Sequence, residues 1–144
     1  MADSPNLDLP DFTDGQANPD TRLNEWKEVF DARQGVVRIN MTSDADLNIT
    51  ATGSSPQQWQ YGGFEITATG VTLTTGRNVI LPSAGGDFRP LAYSLYNNTG
   101  DGQALTLKTA TGSGIAVADG SAARIQIDAD FNAYRVSADA TATS

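Results

Sequence analysis

Residues 34–41, Gln34-Gly35-Val36-Val37-Arg38-Ile39-Asn40-Met41, decide how this chain reads. Before them, apolar residues return at helical spacing; after them, apolar residues return at every second position. Gly35 stands at the change, where a helix is expected to stop. Val37, Ile39 and Met41 then fall on one face of an extended strand.

The same two-residue period continues downstream. Leu47, Ile49 and Ala51 follow the turn residues Ser43-Asp44, and Trp59 and Tyr61 lead through Gly62-Gly63 to Phe64, Ile66 and Ala68. Val71 and Leu73 precede Gly76-Arg77-Asn78, and Val79 to Leu81 reads as a short buried strand ended by Pro82. Leu91, Tyr93 and Leu95 run into the turn cluster Asn97-Asn98-Thr99-Gly100-Asp101-Gly102. Leu105 and Leu107, Ile115 and Val117, Ile125 and Ile127, and Tyr134 and Val136 supply four further strands. Short strands with closely spaced turn signals predict a mainly β protein, an antiparallel β-sandwich of jelly-roll type. The head is expected over 36–138, with a small polar tail over 139–144 that frays.

Upstream, the chain divides again. Asn18-Pro19-Asp20 marks a helix entry, and Leu23, Trp26 and Phe30 fall at i, i+3 and i+7 with Val29 alongside. This predicts one short α-helix from Asp20 to Gln34, with Arg33 near its end. About four turns are marginal alone in water, so the stripe needs a surface to cover. That surface is either the chain's own β module or something else. Residues 1–19 carry Leu7, Leu9 and Phe12 at extended spacing, interrupted by Pro5 and Pro10, and are expected to form an arm. Residues 1–35 therefore read as a docking arm and helix, with Leu7, Leu9, Phe12, Leu23, Trp26, Val29 and Phe30 as the candidate docking and oligomerisation residues.

Composition narrows the chemistry. The 144 residues contain no Cys and no His, which removes thiolate nucleophiles, disulfides, Cys/His zinc sites and histidine general bases. Only Lys27 and Lys108 are present as lysines. A net charge of −8 opposes nucleic-acid binding, where affinity comes from neutralising phosphates, and opposes anionic membrane surfaces. No apolar run is long enough to insert in a membrane. Met1-Ala2-Asp3-Ser4 has neither a basic start nor a following apolar stretch, so no signal peptide is expected. The expectation is a protein that is not an enzyme and takes no cofactor.

Several motifs carry a sharper alternative. Asp44-Ala45-Asp46-Leu47-Asn48 recurs as Asp128-Ala129-Asp130-Phe131-Asn132, a D-x-D-x-N spacing that begins many calcium loops. The second copy has Ala133 and Asp139 where such a loop needs Gly and Glu, so turn chemistry is the expectation at both and no metal is assigned. Thr111-Gly112-Ser113-Gly114 lacks a phosphate-loop lysine and reads as a hairpin turn. Trp59, Tyr61 and Tyr96 are candidates for stacking on a sugar, against a packing role. Paired acids could hydrolyse a glycan, although no acid sits in a plainly apolar setting.

Two stretches resemble a known family. Gly15-Gln16-Ala17-Asn18-Pro19, then Asn24-Glu25 and Phe30-Asp31, resembles the opening of phage and prophage fibre-like proteins. Ala104 to Thr109, Gly114 to Val117, Ile125 to Asp128 and Tyr134 to Val136 are similar to a β repeat of phage tail-fibre and spike proteins. The resemblance implies a virion structural protein made in the host cytoplasm: a short fibre, spike or capsid decoration protein. It also implies a homotrimer attached to capsid or tail proteins through its N-terminal segment. A head that binds a host surface glycan is the alternative, and a carboxylate glycosidase the third reading.

Overall fold

The computed structural model describes residues 32–52, 56–82, 90–136 and 140–141. Ala32 and Arg33 are the last helical residues, and Gly35 N–H closes on the Ala32 carbonyl at 2.9 Å, so the helix stops where the sequence places its stop. The rest is mainly β. Ten strands follow among the described residues: β1 (Val36–Asn40), β2 (Leu47–Asn48), β3 (Gly63–Thr67), β4 (Arg77–Leu81), β5 (Ala92–Asn97), β6 (Leu105–Thr109), β7 (Ile115–Val117), β8 (Ser121–Ile127), β9 (Ala133–Arg135) and β10 (Ala140–Thr141). A short 3₁₀ turn, Gln58–Gln60, lies between β2 and β3.

The strands alternate between two sheets. One runs β1-β3-β5-β8-β10 with β9 also paired to β8; the other runs β2-β4-β6-β7. β1, β3 and β5 pair in parallel, as do β2, β4 and β6. The first six strands thus form three coils, β1β2, β3β4 and β5β6, stacked so that each strand lies on its counterpart roughly thirty residues away. From β7 the pairing becomes antiparallel: β7 on β6, β8 on β5, and β9 and β10 on β8. This closes the C-terminal end of the stack.

The expected antiparallel pairing is found only among the C-terminal strands; both sheets are mixed, which is not the pairing of an antiparallel jelly roll. Alternation of apolar residues is the same for parallel and antiparallel pairing, and the turn clusters up to β6 are corners between sheets; the turn at 110–114 is the expected hairpin, joining β6 to β7, and that at 128–132 joins β8 to β9. The tail expected from residue 139 contains β10, whose two residues pair with Ala122 and Ser121.

One core fills the space between the sheets. Phe64, Ile66, Tyr93, Leu95 and Ile125 from the first sheet meet Val79, Leu81, Leu105, Leu107 and Val117 from the second, each with no exposed surface. Phe64 and Tyr93 stack at 5.1 Å between ring centroids. Tyr134 and Val136, expected inward from alternation, are 49% and 54% exposed, because Ala133 takes the inward position of β9.

Candidate functional site

The two ends of the coil stack differ. At the C-terminal end, the apolar side chains of the last coil are covered by β7 and β8. At the N-terminal end, β1 and β2 are edge strands among the described residues. Val37 and Ile39 pair with Phe64 and Ile66, and Leu47 pairs with Val79. The residues of the second coil are fully buried; their first-coil counterparts are only half-buried. Val36 at the start of β1 is 60% exposed. A depression of about 70 Å³ lies at the first corner, between Asn40 and Leu47. An edge and a half-covered core at one end make it the candidate docking surface.

The helix end is held across the starts of the second and third coils. The Arg33 guanidinium donates to the carbonyls of Tyr61, at 2.8 Å, and Ala92, and lies 4.9 Å from the centroid of the Tyr93 ring. The Tyr93 hydroxyl in turn donates to the Trp59 carbonyl at 2.7 Å. Burial pushes the Arg33 guanidinium below the usual arginine range, and Arg124 adds to this while Tyr93 opposes it. Burial also holds the Tyr93 phenol well above its ordinary value. Gly62 permits the contact: its N–H donates to both Ala32 and Gly35 carbonyls, and a Cβ there would stand 2.1 Å from the Arg33 oxygen.

Carboxylates stitch the corners of successive coils. Asp44, in the first corner, accepts from Arg77 Nε at 2.9 Å and from Thr74 Oγ1 at 2.5 Å in the second. These bonds, that from Arg77 foremost, hold its carboxyl down at about 2. Asp46 accepts from the Asn78 backbone N–H at 2.9 Å, which with the Asn78 side chain lowers its pKa against the effect of burial. Asp101 accepts from Leu73 N–H at 2.9 Å. Asp119 accepts from Gly100 and Gly102 N–H at 2.9 and 2.8 Å, at positions whose φ of 80° and 75° suit glycine. Glu65 binds Arg38 and Asn98 across three strands, and the Arg38 side-chain bond is the main cause of its lowered pKa.

The two D-x-D-x-N motifs are used differently. The first reaches about one coil away, to Arg77 and Asn78. In the second the leading carboxylate acts locally, Asp128 Oδ1 accepting from Asp130 and Asn132 N–H, both at 2.9 Å, while Asn132 Oδ1 accepts from Ser113 N–H at 2.9 Å in the β6–β7 turn. Among the described residues, no three acidic side chains converge as a metal site would require.

Of the candidate sugar-stacking residues, Trp59 is fully enclosed, with its indole N–H donating to Gln57 Oε1 at 2.8 Å. Tyr61 and Tyr96 are half-buried. Tyr96 is on the outward face of β5, in register with Glu65, while Tyr61 stands just before β3 opposite the start of β5. Roughly 13 Å of strand separates them, so they form no common platform. The candidate docking residues Leu7, Leu9, Phe12, Leu23, Trp26, Val29 and Phe30 lie outside the described residues. Sequence reasoning missed Arg33 as the anchor; its place one helical step beyond Trp26 and Phe30 was the available signal.

Compared with protein-family models, curated proteins and solved structures, the chain has no match.

Proposed function

We propose that this chain is a non-enzymatic structural protein of a bacteriophage virion, a short fibre, spike or decoration protein that attaches to capsid or tail through its N-terminal segment. The observation that carries the reading is where that segment joins the β body. It leads directly into β1 of the open first coil, with Arg33 bonded ahead of β3 and over β5, while β7 to β10 close the other end. In this reading, attachment and display belong to the two unlike ends of the β body.

Corner-to-corner carboxylate bonds add support, because they tie each coil to the next and suit a module that bears load rather than one that opens around a substrate. The resemblance of residues 15–31 and 104–136 to phage fibre-like proteins points the same way. In this reading three copies associate, which covers sheet edges and adds buried area to a small core. The decisive experiment compares the full chain with one lacking residues 1–19 in a particle-assembly assay. The shortened protein should keep its β circular dichroism and fail to incorporate; incorporation at the full-length level would refute the reading. Light scattering of the full chain should give three times the 15.2 kDa chain mass.

A second reading, a head that recognises a host surface glycan, is favoured by Tyr134, 49% exposed on β9, and by Tyr96 on the outward face of β5. A glycan array separates it from the first, and Tyr96→Ala and Tyr134→Ala should each abolish any signal that arises there.

A further inference from the structure

The outward face of the first sheet gathers side chains that neither the core nor the corners use. Along β8, Ala123, Ile125 and Ile127 are buried in the core, so Ala122, Arg124 and Gln126 point outward. On one side of this row, Ser94 and Tyr96 of β5 stand opposite Arg124 and Ala122. On the other, Tyr134 of β9 stands opposite Gln126, and Val136 N–H donates to the Arg124 carbonyl at 2.9 Å, which continues the register by one step. Tyr134 and Val136 are two of the three large apolar side chains exposed among the described residues. The third, Val36, lies on the same face beside Gly63.

Arg124 stands at the centre of this patch, exposed, and among the described residues no carboxylate pairs with it. The neighbouring arginines are all engaged. Arg38 binds Glu65, Arg77 binds Asp44, Arg33 donates to two backbone carbonyls, and Arg135 donates to the Ala116 carbonyl at 2.7 Å. Glu65, the acid on this outward face, is already taken by Arg38 and Asn98. Burial lowers the Arg33 pKa and Arg124 lowers it further, so the two guanidiniums repel each other. On a chain of net charge −8 this is a local positive site, and an anion bound there would relieve the repulsion.

The flanking rings narrow the choice of anion. Tyr96 and Tyr134 are diagonal neighbours of Arg124, one on either side, each about 7–8 Å away by strand geometry. A cation between two tyrosines, with the Gln126 amide and the Ser94 hydroxyl beside it, offers one charge, stacking surface and hydrogen bonds on a flat sheet. A sugar ring bearing a carboxylate uses all three: its apolar face stacks on tyrosine, its hydroxyls meet the amide and hydroxyl, and its carboxylate takes the guanidinium fork. An acidic peptide would use the charge and leave the paired rings idle.

We infer that the outward face of β5, β8 and β9 binds a carboxylate-bearing saccharide, with Arg124 holding the carboxylate and Tyr96 and Tyr134 stacking on the rings to either side. The inference rests on the glycan-recognition reading and gives that reading its ligand class. Sialic acids and uronic acids share this chemistry.

Titration calorimetry on the full chain tests it, with sialyllactose set against lactose and trigalacturonate against its methyl ester. At least one acidic sugar should bind, about tenfold or more tightly than its neutral counterpart, and the one that binds identifies the source of the carboxylate. Arg124→Gln should remove that preference with unchanged β circular dichroism, and Arg124→Lys should restore only part of it, since lysine lacks the planar fork. Equal binding of acidic and neutral sugars, or acidic-sugar binding that survives Arg124→Gln, would overturn the inference and leave a glycan-binding head standing. Equal binding of hexaglutamate would overturn it by reducing the site to bare charge. Binding of no saccharide of either kind would overturn both this inference and the glycan reading, whereas the particle-assembly assay judges the attachment role alone.

Discussion

Arg33 and Tyr93 share one polar arrangement, and each can be tested alone. Arg33→Ala would leave the carbonyls of Tyr61 and Ala92 without this donor and uncover the Tyr93 ring. A loss of about 1–3 kcal/mol is expected, read as a lower urea midpoint with little change in slope. Gly62→Ala should destabilise by a similar amount, since its Cβ would meet the backbone oxygen of Arg33 rather than a movable side chain. Tyr93 sets an alkaline limit. Its folded pKa lies above the ordinary 10.0, so its contribution is complete below pH 10 and declines as pH rises further. In a spectrophotometric titration its tyrosinate signal should appear only with unfolding, and Tyr93→Phe should remove that step.

At the scale of elements, the corners deserve the same treatment as the strands. Backbone N–H groups of Leu73, Thr74, Asn78, Gly100 and Gly102 donate to carboxylates from a neighbouring corner. Asp119→Ala should therefore loosen the corner between β5 and β6 and cost about 1–2 kcal/mol, with faster amide exchange at Gly100 and Gly102. Asp44 gives the acid side of the pH profile. Its carboxyl is lowered from 3.8 to about 2, so its stabilisation is present above pH 4 and fades as pH falls toward 2. The Tm difference between the native chain and Asp44→Asn should shrink over that interval and stay constant from pH 5 to 7. The strands themselves depend on the shared core. Phe64→Ala removes a fully buried ring stacked on Tyr93 and should cost about 3–5 kcal/mol in chemical denaturation.

For the whole molecule, the coil stack is polar in the sense of having two unlike ends. Antiparallel strands satisfy the last coil from within the described chain, whereas the first coil presents β1 and β2 as edges. This asymmetry is what connects the fold to the proposed attachment role. Such edges are also where association with another chain would begin. Amide exchange should accordingly be faster in β1 than in β8.

Much of this was legible in the amino-acid order. Strand content, the helix stop before Gly35 and nearly every inward residue from Met41 to Ile127 follow from spacing, because burial of one strand face imposes a period of two. Tyr134 and Val136 are the exceptions, where alternation alone left the phase open and the small Ala133 faces the core. Strand partnership was not legible. Val36 finds Gly63, and Gly63 finds Ser94, across an intervening strand of the other sheet, and unequal corner lengths hide the repeat. Doublets such as Val37 and Ile39, Phe64 and Ile66, and Tyr93 and Leu95 recur at that interval and were its trace. Likewise, one D-x-D-x-N motif clamps a neighbouring coil with its carboxylates, while its twin spends Asp128 on its own turn and reaches the β6–β7 turn only through Asn132. Local chemistry determined that these segments would bend and which faces would seek cover; which strand or carbonyl each would meet was decided by packing, since hydrogen bonds between distant residues exist only once the coils are stacked.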